Sequence, residues 1–158
     1  MRPASPADLD AVLAFWKTAA EGTSISDDRA GVERLVARDP EALLLAERSG
    51  GQRPDGKLVG EELVDGKPVD GELVGTVIAG FDGWRCHLYR LAVRPDARRQ
   101  GIGSALLAAA EERFVALGGR RGDAMVLDRN ERAHAAWDAA GYAREPQWSR
   151  WVKPLVEG

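Results

Sequence analysis

The sequence predicts a mixed α/β fold, and three observations carry that prediction. Short apolar runs of strand character alternate with amphipathic helical stretches along the 158 residues. Asp-Gly, Gly-Gly and Asp-Pro steps separate them. One run, Leu91-Ala92-Val93, passes through a basic turn, Arg94 to Gln100, into Gly101-Ile102-Gly103-Ser104 and a long helix.

Ser5 reads as an N-cap, with Pro6 at the first helical position and Asp8 completing a capping-box pattern. Leu9, Val12, Leu13 and Trp16 follow at helical spacing, and Gly22 ends that helix. Asp27 and Asp28 open a second helix with Val32, Leu35 and Val36 inward, stopped by Asp39-Pro40. Residues 42–47 form a short apolar strand. Residues 49–71 hold an imperfect repeat of Asp-Gly steps and read as a hairpin-type insertion with no part in the chemistry, a lid over the site being the alternative. Strands over 73–81 and 85–93 meet at Asp82-Gly83. A helix over 101–117 buries Ile102, Leu106, Leu107, Ala110, Phe114 and Leu117, and Gly118-Gly119 ends it. A strand over 124–127 leads to a helix from Asn130, with Ala133, Ala136, Trp137 and Ala140 inward and Gly141 as its stop. A last strand is expected over 147–153.

The length fits one domain, residues 1–158. No apolar run approaches the roughly 18 residues that span a bilayer, and the first six residues carry no signal-type segment. The single cysteine, Cys86, fits a reducing compartment, so the expected location is the cytoplasm with no membrane partner. Charge is unevenly spread. Residues 84–121 contain eight arginines and three acids, +5, in a chain of net charge −3, which leaves −8 on the remainder. A basic centre in an acidic chain points to a compact anionic ligand and away from nucleic acid.

The basic strand–loop–helix suits a diphosphate, because bare N–H groups, the positive end of a helix dipole and two guanidiniums converge there. A nucleoside-triphosphate loop would need Gly-Lys-Ser/Thr, but Gly103 is followed by Ser104-Ala105. A dinucleotide fingerprint would need a third glycine where Leu106 stands. What remains is Arg98-x-x-Gly101-x-Gly103.

That spacing, preceded by Leu91-Ala92-Val93 and Arg94-Pro95, resembles the acyl-CoA signature of the GNAT superfamily of N-acetyltransferases. Asn130-x-x-Ala133-x-x-x-Trp137-x-x-x-Gly141-Tyr142 is similar to that family's later helix motif. The resemblance implies a mostly antiparallel central sheet flanked by helices, with a split between central strands that takes the pantetheine arm, and a very short first strand here. It implies acetyl-CoA as cosubstrate and direct acetyl transfer to a primary amine, on a small molecule or a peptide. Amides of Arg99, Gln100, Gly101, Ile102, Gly103 and Ser104 would hold the diphosphate, with Arg98 and Arg99 adding charge. The backbone of Leu91, Ala92 and Val93 would pair with the arm, and Asn130 and Trp137 would flank it. Phe15, Trp16 and residues 148–151 match regions that border the acceptor cleft in the family.

His87 is the candidate base, at a position where part of the family carries a carboxylate. Strand alternation places His87, Tyr89, Leu91 and Val93 on one face and Cys86 on the other, and an imidazole of pKa about 6.5 accepts a proton at neutral pH. A strand N–H near Val93 is the expected donor to the thioester oxygen. Trp137 departs from the tyrosine many relatives carry, and an indole is a donor without being a usable acid. CoA therefore leaves as a thiolate, or Tyr142 or water protonates it, or catalysis is weak. The last option keeps an acyl-CoA-binding sensor as the alternative function. His87 and His134 lack partners at metal-ligand spacing, so no metal is expected. The oligomeric state is left between monomer and homodimer.

Overall fold

A computed structural model describes residues 1–48, 63–64, 67–68 and 71–156 of the chain. They fall into two compact units, Met1–Leu127 and Asp128–Gly158. The first holds β1 (Arg2–Pro3), α1 (Leu9–Ala19), α2 (Arg29–Arg38), β2 (Leu43–Arg48), β3 (Leu63–Val64), β4 (Lys67–Pro68), β5 (Glu72–Phe81), β6 (Cys86–Val93), α3 (Ile102–Ala116) and β7 (Gly122–Ala124). The second holds α4 (Glu131–Ala139). Among the described residues no helix is long and apolar enough to cross a membrane.

The main sheet runs β1-β2-β5-β6-β7. Its first three pairings are antiparallel and the last, β6 with β7, is parallel. This is the mixed, mostly antiparallel sheet the sequence predicts, with a first strand of two residues. β3 and β4 form a separate antiparallel pair inside the expected insertion; the rest of residues 49–70 lies outside the described residues.

α1 and α2 cover one face. Leu9, Val12, Trp16 and Val32 pack there with Leu43, Leu45 and Ile78 of the sheet. Their start signals are local. The Ser5 N–H donates to Asp8 Oδ2 at 2.7 Å, and Asp28 accepts the Gly31 N–H at 2.6 Å. α3 covers the other face through Leu106, Leu107, Ala110 and Phe114. It lies so close to β5 that a Cβ on Gly75 would stand 2.8 Å from Leu106 Cδ1 and 2.9 Å from Ile102 Cγ2. Arg113 ties α3 to both neighbours, donating to Asp39 at 2.5 Å and to the Ala79 carbonyl at 2.8 Å.

Three expectations need correction. Leu117 is 44% exposed: α3 stops at Ala116 and the chain turns at Gly118 with φ 85°, so Leu117 leaves the packed face. The strand expected over 124–127 is Gly122–Ala124, three residues that pair with β6. No strand forms over 147–153, where Trp148, Trp151 and Val152 are all exposed. Strand propensity there finds no partner edge, and propensity without pairing does not make a strand.

Arg2 donates to both carboxylate oxygens of Asp8 at 2.8 Å and to Glu47 at 2.6 and 3.1 Å, joining β1, the start of α1 and β2. The Arg2 guanidinium, aided by the Ser5 donors, holds the Asp8 carboxyl well below the usual carboxylate range. Asp8 thus binds its proton more weakly folded than unfolded. The stability this gives is present above the ordinary aspartate pKa of about 3.9 and is lost as pH falls below it. Asp8→Asn should lower Tm at neutral pH and flatten the acid limb of thermal melts run from about pH 7 to pH 3. Gly75→Val should cost about 1–3 kcal/mol in chemical unfolding, because Ile102 and Leu106 must move away from β5.

Candidate active site

β6 is paired with β5 along its length and with β7 over three residues only, Cys86 to Leu88. The chain leaves the ladder after Ala124 while β6 continues to Val93, so from Arg90 onward that edge of β6 has no strand beside it among the described residues. Four residues of strand give an open edge of about 13 Å. It is closed at the Leu88–Ala124 pair and ends at the loop that leads into α3.

The two edges of β6 differ again at Arg90. Thr76 pairs with Ala92 and Ile78 with Tyr89, so two residues, Arg90 and Leu91, oppose Val77 alone. This is a β-bulge, and Arg90 adopts φ 51°. The bulge resets side-chain alternation. Tyr89 and Ala92 fall on the face of Ile78 and Thr76, covered by α1 and α2, while Val93, opposite Gly75, falls on the α3 face. The expected single face for His87, Tyr89, Leu91 and Val93 is therefore wrong beyond Tyr89; strand periodicity cannot anticipate an extra residue. The bulge is braced from α1, since Trp16 Nε1–H donates to Thr76 Oγ1 at 2.9 Å and Thr76 Oγ1–H donates to the Arg90 carbonyl at 2.9 Å. Phe15 and Trp16 belong to the core, 8% and 5% exposed.

At the far end of the unpaired edge, the loop from Arg94 to Gly101 is shaped by its own side chains. Arg98 Nε–H donates to the Val93 carbonyl at 3.1 Å and Gln100 Nε2–H to the Asp96 carbonyl at 3.3 Å. Arg99 and Gly101 take left-handed φ values of 60° and 80°. Gly101 is the N-cap of α3, and a Cβ there would meet nothing within 4 Å. Glycine is needed here for its φ, and the space above it is open. The first intrahelical bond is Ala105 N–H to Gly101 O at 2.9 Å. Ile102, Gly103 and Ser104 precede it, and no side chain caps the helix. Their amides, with a dipole equivalent to roughly half a positive charge, are where an anion would be favoured. Leu91, Ala92, Val93 and Arg98 to Ser104 are thus brought together in one strand–loop–helix. Ala92, at 4% exposure, can offer only its backbone.

The basic segment is less open than its composition implies. Arg90 is paired with Asp27, Arg94 with Glu72 and Asp96, and Arg113 with Asp39. Arg98 and Arg99 are the arginines of the loop itself, and Arg98 Nε–H is engaged by the Val93 carbonyl.

His87 stands at the closed end of the edge. Its Nδ1–H donates to Asp123 Oδ1 at 2.7 Å across the parallel β6–β7 pair, and its Nε2 lies 4.0 Å from Asp82 Oδ2. Asp82 caps the β5–β6 turn, accepting the N–H groups of Trp84 and Arg85 at 2.8 and 2.7 Å. Those donors hold its carboxyl below the ordinary aspartate range. Cys86 is buried on the opposite face, as expected. Sequence reasoning missed Asp82 and Asp123. Asp82 had a signal in the Asp82-Gly83 turn; Asp123 had none, because its meeting with His87 depends on the register of two strands joined through α3.

In the second unit Asn130 accepts the Ala133 N–H at 3.1 Å and so caps α4. Trp137 meets Tyr142 edge to face at 4.8 Å. Ala133 and Trp137 are half-buried, and Ala136 and Ala140, expected inward, are exposed. Among the described residues no cluster of His, Cys, Asp and Glu has the grouping of a metal site.

Residues 32–142 match the family described as “Acetyltransferase (GNAT) family”. An acetyltransferase of Pectobacterium atrosepticum is 29% identical over 135 residues, 85% of this chain and 81% of that protein. The ribosomal-protein-alanine N-acetyltransferase of Brucella melitensis superposes with a TM-score of 0.60 at 27% identity, over 89% of this chain and 82% of that one. The aminoglycoside antibiotic 6'-N-acetyltransferase of Acinetobacter haemolyticus gives 0.66 at 16% identity over 98% of both chains, a likeness of fold. The family match spans more than half of the sequence and includes β6, the loop after it and α3, and the chain belongs to the GNAT family of acetyltransferases.

Proposed function

We propose that the chain moves the acetyl group of acetyl-CoA directly to a primary amine, with His87 as the base. The observation that carries this reading is the placement of two chemistries at the two ends of one unpaired strand edge. An uncapped helix start behind Gly101 lies at one end, and the His87–Asp123 pair lies at the other. The donor set fits the cosubstrate: open space over Gly101 admits a diphosphate, and charge-assisted bonds from Arg98, Arg99 and the amides to Ser104 contribute about 1.5–3 kcal/mol each. Leu91 and Val93 offer backbone to an extended arm as a strand would. Asn130 and Trp137 stay in the reading only as the resemblance in sequence implies them.

Acetyl-CoA, when bound, supplies a thioester carbonyl for the amine to attack. An alkylammonium near pKa 10.4 must first lose a proton, which costs about 4–5 kcal/mol at neutral pH. Asp123 holds the proton of His87 on Nδ1 and so leaves Nε2 as the acceptor. The donor assigned to the developing oxyanion is a backbone N–H of β6 near Val93.

Relatives named acetyltransferases weigh against the sensor alternative. The family match crosses the boundary between the two units, which supports one functional domain over residues 1–158. We take the enzyme to be cytoplasmic, the location that a single cysteine favours. The pairing of three arginines with acids supports a partner that is not a nucleic acid. We take the active unit to be a monomer or homodimer.

The test is thiol release from acetyl-CoA with an aminoglycoside, a peptide with a free N-terminal alanine, and a diamine. Turnover on at least one is expected; tight CoA binding with none would favour the sensor. Gly101→Val should weaken CoA binding in calorimetry by about 30-fold or more, while strain at the left-handed position costs folding only about 1–2 kcal/mol. His87→Ala should lower kcat roughly 100-fold with CoA affinity within twofold of wild type. Asp123→Asn should cost about tenfold in kcat, since the amide can donate to Nδ1 and move the imidazole proton onto Nε2. Equal rates for wild type and His87→Ala across the pH range would remove His87 from the reaction.

A further inference from the structure

The two carboxylate oxygens of Asp82 have separate surroundings. Oδ1 accepts both N–H groups that the β5–β6 turn must satisfy, from Trp84 at 2.8 Å and from Arg85 at 2.7 Å. Oδ2 takes neither and faces His87 Nε2 at 4.0 Å. An amide or hydroxyl oxygen would cap the turn as well, so the turn calls for neither the second oxygen nor the charge. The charge is nonetheless secured, because the Arg85 and Trp84 donors hold the carboxyl below the ordinary aspartate range. The neighbouring Arg85 guanidinium lies over the Trp84 ring, 5.5 Å from its centroid.

The other side of the gap is an acceptor too. With its Nδ1–H donated to Asp123 Oδ1 at 2.7 Å, the imidazole presents a lone pair at Nε2. Two acceptor atoms therefore face each other with no proton between them, too far apart for a direct hydrogen bond. One nitrogen donating to both, at about 2.8 Å each, would do so at roughly a right angle, which the three N–H groups of an ammonium can meet. Gly80, the ladder partner of His87, adds no side chain to the gap. The side chains of His87 and Asp82 are 27% and 51% exposed, so a ligand can reach it.

We propose that Asp82 Oδ2 and His87 Nε2 form a two-point seat for the acceptor's amino group in its protonated form. The substrate class is then an alkylammonium, charged at neutral pH, and not an amine that is neutral there. The inference rests on His87 as the base in amine acetylation. The proton count closes. One N–H of the bound ammonium breaks, and its proton becomes Nε2–H of an imidazolium lying between the carboxylates of Asp82 and Asp123. The electron pair left on nitrogen forms the C–N bond, and the next proton on that nitrogen leaves with the CoA sulfur as the C–S bond breaks. A positive charge thus arrives with the acceptor and passes to the ring without leaving the two acids.

Binding tests the seat apart from turnover. With CoA in place of acetyl-CoA no transfer can occur, and calorimetry reads acceptor affinity alone. The probes are whichever of the aminoglycoside, alanine peptide or diamine wild type acetylates, and the same molecule with a hydroxyl in place of each amine that is acetylated. Asp82→Asn keeps an oxygen for the Trp84 and Arg85 N–H groups and loses the charge. It should weaken the amine about tenfold and leave the hydroxyl analogue within about twofold, with CoA affinity also within twofold. Asp82→Ser, which keeps a capping hydroxyl, carries the test if the Asn variant does not fold. Equal loss for both probes, or unchanged affinity for the amine, would overturn the seat. Failure of the underlying reading shows in rates instead, as acetylation of no amine by wild type or unchanged turnover in His87→Ala, and either overturns both.

Discussion

A strand that is fully paired on one side and paired for only three residues on the other is the constraint from which this molecule's chemistry follows. Main-chain polar groups in a sheet interior must find partners, and beyond Leu88 the outer edge of β6 has none from β7. In a purely structural sheet such an edge would be extended, covered or blunted by charge. Here it leads directly into a loop whose amides are also left without side-chain caps. A strand edge beyond the reach of β7 and a helix start without a side-chain cap lie in series along one segment.

The bulge at Arg90 shows how the rest of the unit serves that edge. An extra residue with positive φ is costly on its own and persists because neighbours fix it from several directions. Thr76, with no exposed surface, is the buried polar side chain of the sheet, and it spends its hydroxyl on the Arg90 carbonyl while accepting from Trp16. A satisfied polar chain from helix to strand to strand specifies one arrangement more sharply than apolar packing does. Gly75 does similar work on the other face by letting α3 sit against β5, which sets the start of α3 at the end of β6.

What could be seen in the sequence follows the range of the interactions involved. Helix α2 was legible from Asp28 to Asp39 because capping and termination are local. The turn from β6 into α3 was legible for the same reason: Arg98, Gly101 and Gly103 shape it within a few residues of one another. The position of His87 was legible, its partner was not, since Asp123 arrives through a parallel register that no spacing encodes. Alternation along β6 failed after Tyr89 because the bulge is defined by a count on the opposite strand. The expected strand over 147–153 failed for the converse reason, a good local preference without a neighbour. Composition misled in one respect: three of the eight arginines of the basic segment are already matched to acids.

That matching has a kinetic consequence. Once Arg90, Arg94 and Arg113 have spent their charge internally, the potential that reaches a polyanion some distance away is that of a few loop groups set in an acidic protein. Attraction of this kind fades within a Debye length, about 8 Å at physiological ionic strength. Encounter with a charged nucleotide is then governed by diffusion and orientation, and added salt should alter the association rate constant far less than the eight arginines alone would imply.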